Sequence, residues 1–346
     1  MEFEVADWRD LTGIVKETHR LWGAGLDRQE LRELLDLQLN HPWARRHYDY
    51  LVAKQKDCVL SSLKRYRLQA VLNNCPFSVA GIGAVFTPER MRGNGYAQAL
   101  IRHVIAEARR DGDDAVMLFS DIGPAFYEEL EFEPLGALDF LIDELKDFSS
   151  ELFQFDGKTL EYWSRPLARA DVCDLSAAHR RWLRRQTFGL VRDELYLSFK
   201  LVKEQFMAGN SRLGWPGLQL IGLPDLALKD GYALVERGRD TLRVLEVVAD
   251  ETRLGRLWRA VIQLAFDGNL NRVRGWESLT KPFYPGFSYL AIMPETLRKT
   301  LSLRRSAHRF SCYEREWGQP MFLPLSDRSA QILDLFPCPF LELDHF

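Results

Sequence analysis

A short stretch with two glycines, Arg92-Gly93-Asn94-Gly95-Tyr96-Ala97, carries the strongest chemical signal in the sequence. The apolar segment 82–86 precedes it and predicts a strand. Apolar residues recur after it at intervals of three and four, which predicts a helix. Glycine lets a backbone approach a ligand closely, and a helix start presents unpaired N–H groups and the positive end of the helix dipole. The stretch therefore predicts a pyrophosphate-binding site.

Two other phosphate-binding loops are excluded by the residues present. No Gly-Lys-Ser/Thr sequence closes the stretch, as a Walker A loop requires. The third glycine of the dinucleotide-binding fingerprint is also missing.

The stretch resembles the Arg/Gln-x-x-Gly-x-Gly/Ala signature of the GNAT N-acetyltransferases, whose loop amides bind the pyrophosphate of acetyl-CoA. A strand predicted at 115–119 and the segment 126–132, Phe-Tyr-Glu-Glu-Leu-Glu-Phe, extend the similarity. In that segment Glu131 replaces a glycine of the family's Phe-Tyr-Glu-Lys-Leu-Gly-Phe. The resemblance implies an α/β (α+β) GNAT fold whose mixed central sheet is splayed at the acetyl-CoA site. It implies that acetyl-CoA, the cosubstrate, is bound by Val85, Phe86, Thr87, Arg92, Gly93, Asn94, Gly95, Tyr96 and Ala97.

Acetyl transfer from a thioester to an amine needs an unprotonated amine and an acid that protonates the departing thiolate. Tyr127 occupies the position where the family's tyrosine faces the sulfur, so the resemblance implies that it is this acid. The alternative is that Tyr127 only packs beneath the CoA. Glu17, Asp121 and His19 are candidates for the base, and the alternative for each is a helix cap, a surface charge or a core histidine.

A finer resemblance rests on the segment 17–26, Glu-Thr-His-Arg-Leu-Trp-Gly-Ala-Gly-Leu, together with 85–88 and the two-glycine stretch. These segments are similar to the fungal lysine N6-acetyltransferases and their bacterial relatives. The first helix borders the acceptor site in this fold, which implies that Trp22 contacts the substrate. A core aromatic beside a glycine turn is the alternative. The predicted substrate-side residues are Trp22, Glu17 and Asp121.

The predicted function is transfer of an acetyl group to the amine of a small molecule, an amino acid such as lysine or a polyamine-like compound. Two alternatives stay open. One is a non-catalytic acyl-CoA-binding sensor or scaffold, and the other is an enzyme that acetylates protein amines.

Composition limits the other classes of function. The 46 Lys and Arg against 49 Asp and Glu give a net charge of −3, with the two signs intermixed, so no nucleic-acid surface is predicted. No apolar run is long enough for a membrane span, and the N-terminus lacks a signal-peptide pattern. The five cysteines form no Cys-x-x-Cys pair, which argues against a disulfide framework and a zinc site. We expect a cytoplasmic protein that binds no metal, with homo-oligomerisation left open.

The chain is long enough for two domains, and its second half repeats the predicted order of elements of the first. The expected division is a catalytic GNAT domain at 1–155 and a degenerate GNAT-like domain at 156–346 that lacks the CoA-binding loop. Asp250-Glu251-Thr252-Arg253-Leu254-Gly255 stands where the first half has its two-glycine stretch. Carboxylates at that helix start repel a phosphate, so the sequence predicts one CoA per chain.

The last residue, Phe346, is a further catalytic candidate. A mycobacterial acetyltransferase that pairs a GNAT domain with a degenerate copy uses its own terminal carboxylate as the base. This chain resembles that enzyme in architecture only. A carboxylate held in a partly dry site has a pKa raised toward the range of a base. The alternative is that the apolar tail, 318–346, packs down and seals the core of the second domain.

Overall fold

The computed structural model describes residues 1–147, 154–155, 158–212, 214, 217–277, 310–335 and 340–345. The first part of the chain forms, in order, β1 (Glu2–Val5), α1 (Trp8–Trp22), α2 (Arg28–Asn40), α3 (Ala44–His47), β2 (Tyr48–Gln55), β3 (Cys58–Leu72), β4 (Cys75–Phe86), α4 (Tyr96–Asp111), β5 (Ala115–Ser120), α5 (Ala125–Glu128), β6 (Glu133–Pro134) and β7 (Leu138–Ile142). The predicted order of a strand, two helices, three strands and a glycine loop before a helix is confirmed.

The second part repeats this alternation of strands and helices. It contains β8 (Gln154–Phe155), β9 (Lys158–Thr159), β10 (Trp163–Pro166), α6 (Val172–Leu183), β11 (Phe188–Leu190), α7 (Glu194–Asn210), β12 (Leu218–Gly222), β13 (Gly231–Arg237), β14 (Thr241–Ala249), α8 (Glu251–Asp267), β15 (Arg272–Glu277), β16 (Phe310–Glu314), β17 (Gln319–Pro324) and α9 (Asp327–Ala330). Among the described residues, every helix is too short or too polar to cross a lipid bilayer.

The first sheet has the strand order β1-β2-β3-β4-β5-β17-β6, with β11 paired to β3. It is mixed, because β4 and β5 are parallel while the other pairs are antiparallel. Side chains alternate between its faces. Leu51 and Leu63 pack with the apolar stripe of α4, whereas Tyr50 and Val52 pack with α1 and α2 on the opposite face. The helix after the glycine loop is thus fixed by one core, and α1 and α2 by another.

The second sheet has the order β10-β12-β13-β14-β15-β7-β16. Its β14 and β15 are parallel, and the intervening α8 packs on one face, as α4 packs on the first sheet. The other face packs against α6 and α7. This arrangement is a second GNAT-like unit.

Each sheet contains a strand from the other half of the chain. The strand β7 pairs with β15 in the second sheet, and β17 pairs with β5 in the first. The two strands take equivalent places beside β15 and β5, so the halves exchange them. The short β11 of the second half also pairs with β3 of the first sheet. The domain boundary at 155/156 stays a prediction. Strand β7 precedes this boundary but belongs to the second sheet, and β17 follows it but belongs to the first.

The end of the chain is held by buried charges. Asp344 lies 2.7 Å from Nη2 of Arg192, whose Nη1 also donates to Glu246. All three side chains are buried, and the hydroxyl of Tyr232 donates to Glu246 at 2.6 Å. These bonds join the tail to the start of α7 and to β14. The tail therefore packs between the two units, rather than sealing only the second.

A second ion cluster holds the same tail, and it yields a stability prediction. Arg243 on β14 donates to Glu342 at 2.6 Å and to Glu236 at 3.0 Å, and both carboxylates are buried. Arg243→Met should lower the free energy of unfolding by about 1–3 kcal/mol, because a buried acceptor is left unsatisfied. Chemical denaturation measures this change. Arg256→Met is the control, since that arginine pairs with Asp225 on the surface and should cost about 0–1 kcal/mol. Equal costs would contradict the account of the tail.

Candidate active site

The gap between β4 and β5 defines the site. Their parallel pairing ends at Ile82 and Leu118, although β4 continues to Phe86. The register of β4 against β3 shifts at this point, and Ala84 has φ +46°. A bulge of this kind bends a strand and redirects its groups. Within the described residues, no strand pairs with 83–86 on the side facing β5, so the predicted splay of the sheet is confirmed.

The backbone at the end of β4 is held from its other side. The hydroxyl of Ser61 donates to the carbonyl oxygen of Phe86 at 2.9 Å and accepts from the hydroxyl of Thr87 at 3.1 Å. The segment 85–87, which is predicted to bind acetyl-CoA, therefore lies along the gap on a supported strand. Its contact with CoA stays a prediction.

The glycine loop has the geometry of an anion site. Gly93 and Gly95 have φ of +76° and +75°, and Gly95 caps α4 without a side chain. In the described part of the chain, no protein group accepts a hydrogen bond from the amides of 93–98. Asn94 stabilises the loop from within, since its side-chain Nδ2 donates to the carbonyl oxygens of Met91 at 3.0 Å and Arg92 at 3.1 Å. A β-carbon at Gly93 would meet nothing within 4 Å. The site thus fits the pyrophosphate of acetyl-CoA.

Tyr127 lies on α5 and is buried with the core beneath α4. Its ring packs edge-on against Phe126 and Phe132, at centroid distances of 5.0 and 6.2 Å. Burial, and then the charge of Asp121, raise the pKa of Tyr127 to about 12. The phenol therefore keeps its proton at neutral pH. Glu131, which replaces the family's glycine, has φ +67°, so the backbone keeps a conformation that favours glycine.

A histidine that the sequence analysis did not select lies at the carboxyl end of β5. Nε2 of His345 is 3.7 Å from Oδ1 of Asp121, and its ring lies 5.4 Å from that of Phe119. Trp276 and Trp317 pack around the same ring. Burial lowers the pKa of His345, so its imidazole is neutral at pH 7 and can accept a proton.

Of the other residues selected from the sequence, Glu17 and Trp22 lie near the glycine loop and the gap, whereas His19 supports a turn. Glu17 pairs with Arg90 at 3.2 Å, near the start of the glycine loop. His19 bonds through Nε2 to the carbonyl oxygen of Leu26 at 2.7 Å, which supports the α1–α2 turn. Trp22 is 40% exposed and packs edge-on against Phe86, so it borders the gap. Phe346 lies outside the described residues.

The corresponding helix of the second unit closes its own N-terminus. The carboxylate of Asp250 accepts from the amide of Arg253 at 3.0 Å and pairs with the Arg253 guanidinium. The carboxylate of Asp250 occupies the position at the helix start where a phosphate would bind, and its negative charge would repel that phosphate.

Comparison with known proteins agrees with this geometry. Residues 15–135 match the model of a domain described as an acetyltransferase (GNAT) domain. A comparison with curated proteins found no match. A crystal structure of a GCN5-related N-acetyltransferase from Kribbella flavida has a TM-score of 0.62 and 15% identity, covering 93% of this chain and 70% of that one. A probable N-acyltransferase of unknown function from Enterococcus faecalis V583 has a TM-score of 0.64 and 11% identity, covering 94% and 72%. Eis1 from Mycobacterium abscessus has a TM-score of 0.59 and 12% identity, covering 96% and 76%.

The structural similarities concern the fold and extend over both units of the chain. The domain match runs from the second half of α1 to β6 and includes the splayed strands and the glycine loop. Residues 15–135 therefore correspond to a GNAT acetyltransferase domain.

Proposed function

We propose that the protein transfers an acetyl group from acetyl-CoA to the amine of a small molecule. The observation that carries this proposal is the open glycine loop beside the gap between β4 and β5. The amides of 93–98 would hold the pyrophosphate, with Arg92 beside them, and the segment 85–87 would hold the pantetheine arm. Acetyl-CoA supplies an activated thioester, so the protein needs to position the amine and move two protons.

Tyr127 is the proposed acid. Its phenol keeps its proton over the pH range of an ordinary assay, because its pKa is raised to about 12. During transfer, the amine nitrogen bonds to the acetyl carbon, the carbon–sulfur bond breaks, and the phenol proton passes to the sulfur. A general acid of this kind contributes about 10²- to 10⁴-fold to the rate.

The proton lost by the amine would pass to the pair formed by Asp121 and His345. Their side chains lie 3.7 Å apart at the end of β5, and the charge of Asp121 also acts on Tyr127. Asp121 was a base candidate from the sequence, and His345 adds a neutral imidazole next to it. The terminal carboxylate of Phe346 follows His345 directly and stays a prediction.

The acceptor is proposed to be an amino acid such as lysine or a polyamine-like compound. The similarity of 17–26 to lysine N6-acetyltransferases supports lysine, and Trp22 at the edge of the gap supports a substrate contact. A sensor that binds acyl-CoA without turnover would have no need of a protonated phenol next to an acid–imidazole pair.

Release of free thiol tests the proposal. The full chain is incubated with acetyl-CoA and a panel of small amines, and acetylated products are identified by mass. Thiol release that depends on an amine, with an N-acetyl product, is expected. Tight CoA binding without any acetylated amine would contradict the enzyme and favour a binding protein.

A further inference from the structure

A lysine without an acid partner lies one strand away from the gap. Lys64 on β3 pairs in register with Gly83 on β4, the residue after the last β4–β5 pair. Because Leu63 packs beneath α4, Lys64 points to the opposite face of the sheet. Phe119 lies on that same face at the end of β5, where it contacts His345. Lys64 and the proposed proton acceptors therefore share one face.

Polar groups without a described partner lie on the same face of the sheet as this lysine. The Nζ atom of Lys64 lies 5.9 Å from the ring centroid of Tyr48 and 5.7 Å from that of Tyr50, and no described carboxylate pairs with it. The hydroxyls of Tyr48 and Tyr196 and that of Ser62 are buried and have no hydrogen-bond partner in the described part of the chain. Buried polar groups normally have partners. We name these four residues, Lys64, Ser62, Tyr48 and Tyr196, the Lys64 cluster.

Helix α7 adds more positive charge over the same face. Lys200 and Lys203 follow Tyr196 at helical spacing, and Nζ of Lys200 donates to the carbonyl oxygen of His345 at 2.5 Å. Burial and the charge of Lys203 lower the pKa of Lys64 to about 8. Burial also lowers the pKa of Lys200, to about 7. At Lys64 more positive charge is unfavourable and a negative ligand would relieve it, whereas the charge of Asp344 already offsets part of the charge at Lys200.

We propose that the Lys64 cluster binds a carboxylate of the acceptor, so that the acceptor is an amine that also carries an acid group. This inference rests on the proposed function and narrows it. An ammonium with neighbouring hydroxyl donors suits a carboxylate, since hydrogen bonds between charged groups are the strong ones. Asp121, at the other end of the face, suits the arriving ammonium group. A polyamine would instead bring more positive charge to the face that carries Lys64, Lys200 and Lys203, so we expect it to be the poorer acceptor.

Matched pairs of amines test the inference. Each pair consists of a common L-amino acid and its decarboxylated amine, for example lysine and cadaverine. The carboxylated member of the preferred pair should have a kcat/KM about 10- to 100-fold higher, the effect of one charged hydrogen bond. Lys64→Met should abolish this preference through KM, and Lys64→Arg should restore part of it. Lys229→Met, an exposed lysine far from the cluster, should change neither.

The outcomes separate this inference from the function on which it rests. Acetylation of amines without a carboxylate preference, or a preference that survives Lys64→Met, overturns the inference and keeps the enzyme. Absence of any acetylated amine while CoA binds overturns the enzyme and the inference together. Because Lys64 has no described acid partner, Lys64→Met leaves no carboxylate unpaired and should keep the melting temperature. CoA affinity measured on the same variant is the second check on folding.

Discussion

Gly93→Leu is expected to abolish the binding of acetyl-CoA without unfolding the protein. The glycine has φ +76°, and the space above it is open. A leucine side chain there would occupy the place of the pyrophosphate and turn the loop amides away from it. Losing two charged hydrogen bonds at about 1.5–3 kcal/mol each predicts a loss of roughly 10²- to 10⁴-fold in affinity. Calorimetric titration of acetyl-CoA measures this loss.

Gly112 provides a control at the other end of the same helix. It has φ +79°, and a β-carbon there would also meet nothing within 4 Å. Gly112→Leu therefore carries the same backbone strain as Gly93→Leu, about 1–2 kcal/mol. It should bind acetyl-CoA as the unmodified protein does. Equal affinities of the two variants for acetyl-CoA would show that the glycine loop does not bind it.

Tyr127→Phe is expected to lower kcat by about 10²-fold with little change in CoA affinity. The hydroxyl makes no hydrogen bond with the described residues, so its removal should cost the fold little. Because the pKa of Tyr127 is raised to about 12, the phenol is the protonated form throughout pH 6–10. The pH–rate profile of the unmodified enzyme should therefore show no loss of activity from Tyr127 ionisation in that range.

Tyr162→Phe is the matched control for this substitution. The hydroxyl of Tyr162 donates to Asp267 at 2.9 Å in the second unit, away from the gap. Its removal should leave kcat unchanged. A Tyr127→Phe enzyme with full turnover would leave Tyr127 a packing residue, the alternative that the sequence left open.

The glycine loop of the first unit could be predicted from the sequence because its residues are contiguous in the chain. The two-glycine stretch, the strand before it and the helix after it specify one another through backbone conformation and periodicity. The start of the helix after Asp250 could be predicted equally well, since an acidic N-cap residue is a local signal in the sequence. Both helix starts have the predicted character in the structure.

The exchange of strands could not be predicted in this way. The strands β7 and β17 are short apolar segments whose side chains suit either sheet, and pairing over more than a hundred residues leaves no local signal. The same limit hid His345. It is the penultimate residue of the chain, and contacts between distant segments, such as the buried Arg192–Asp344 pair and the packing of Trp276, bring it to Asp121.

The role that we propose for Lys64 could not be predicted from the sequence for another reason. In sequence it is one charge on an alternating strand, next to Arg65, which pairs with Asp49 at 2.6 Å. The difference between the two cations appears only when their partners are known. A strand that alternates between two packed faces can place a paired and an unpaired cation side by side.

We propose that the first unit alone holds acetyl-CoA, through the glycine loop at the start of α4. Calorimetric titration of acetyl-CoA into the unmodified full chain tests it most directly. We expect one site per chain, lost in Gly93→Leu and kept in Gly112→Leu, because Asp250 closes the corresponding helix of the second unit. A stoichiometry of two, or no binding at all, would contradict it.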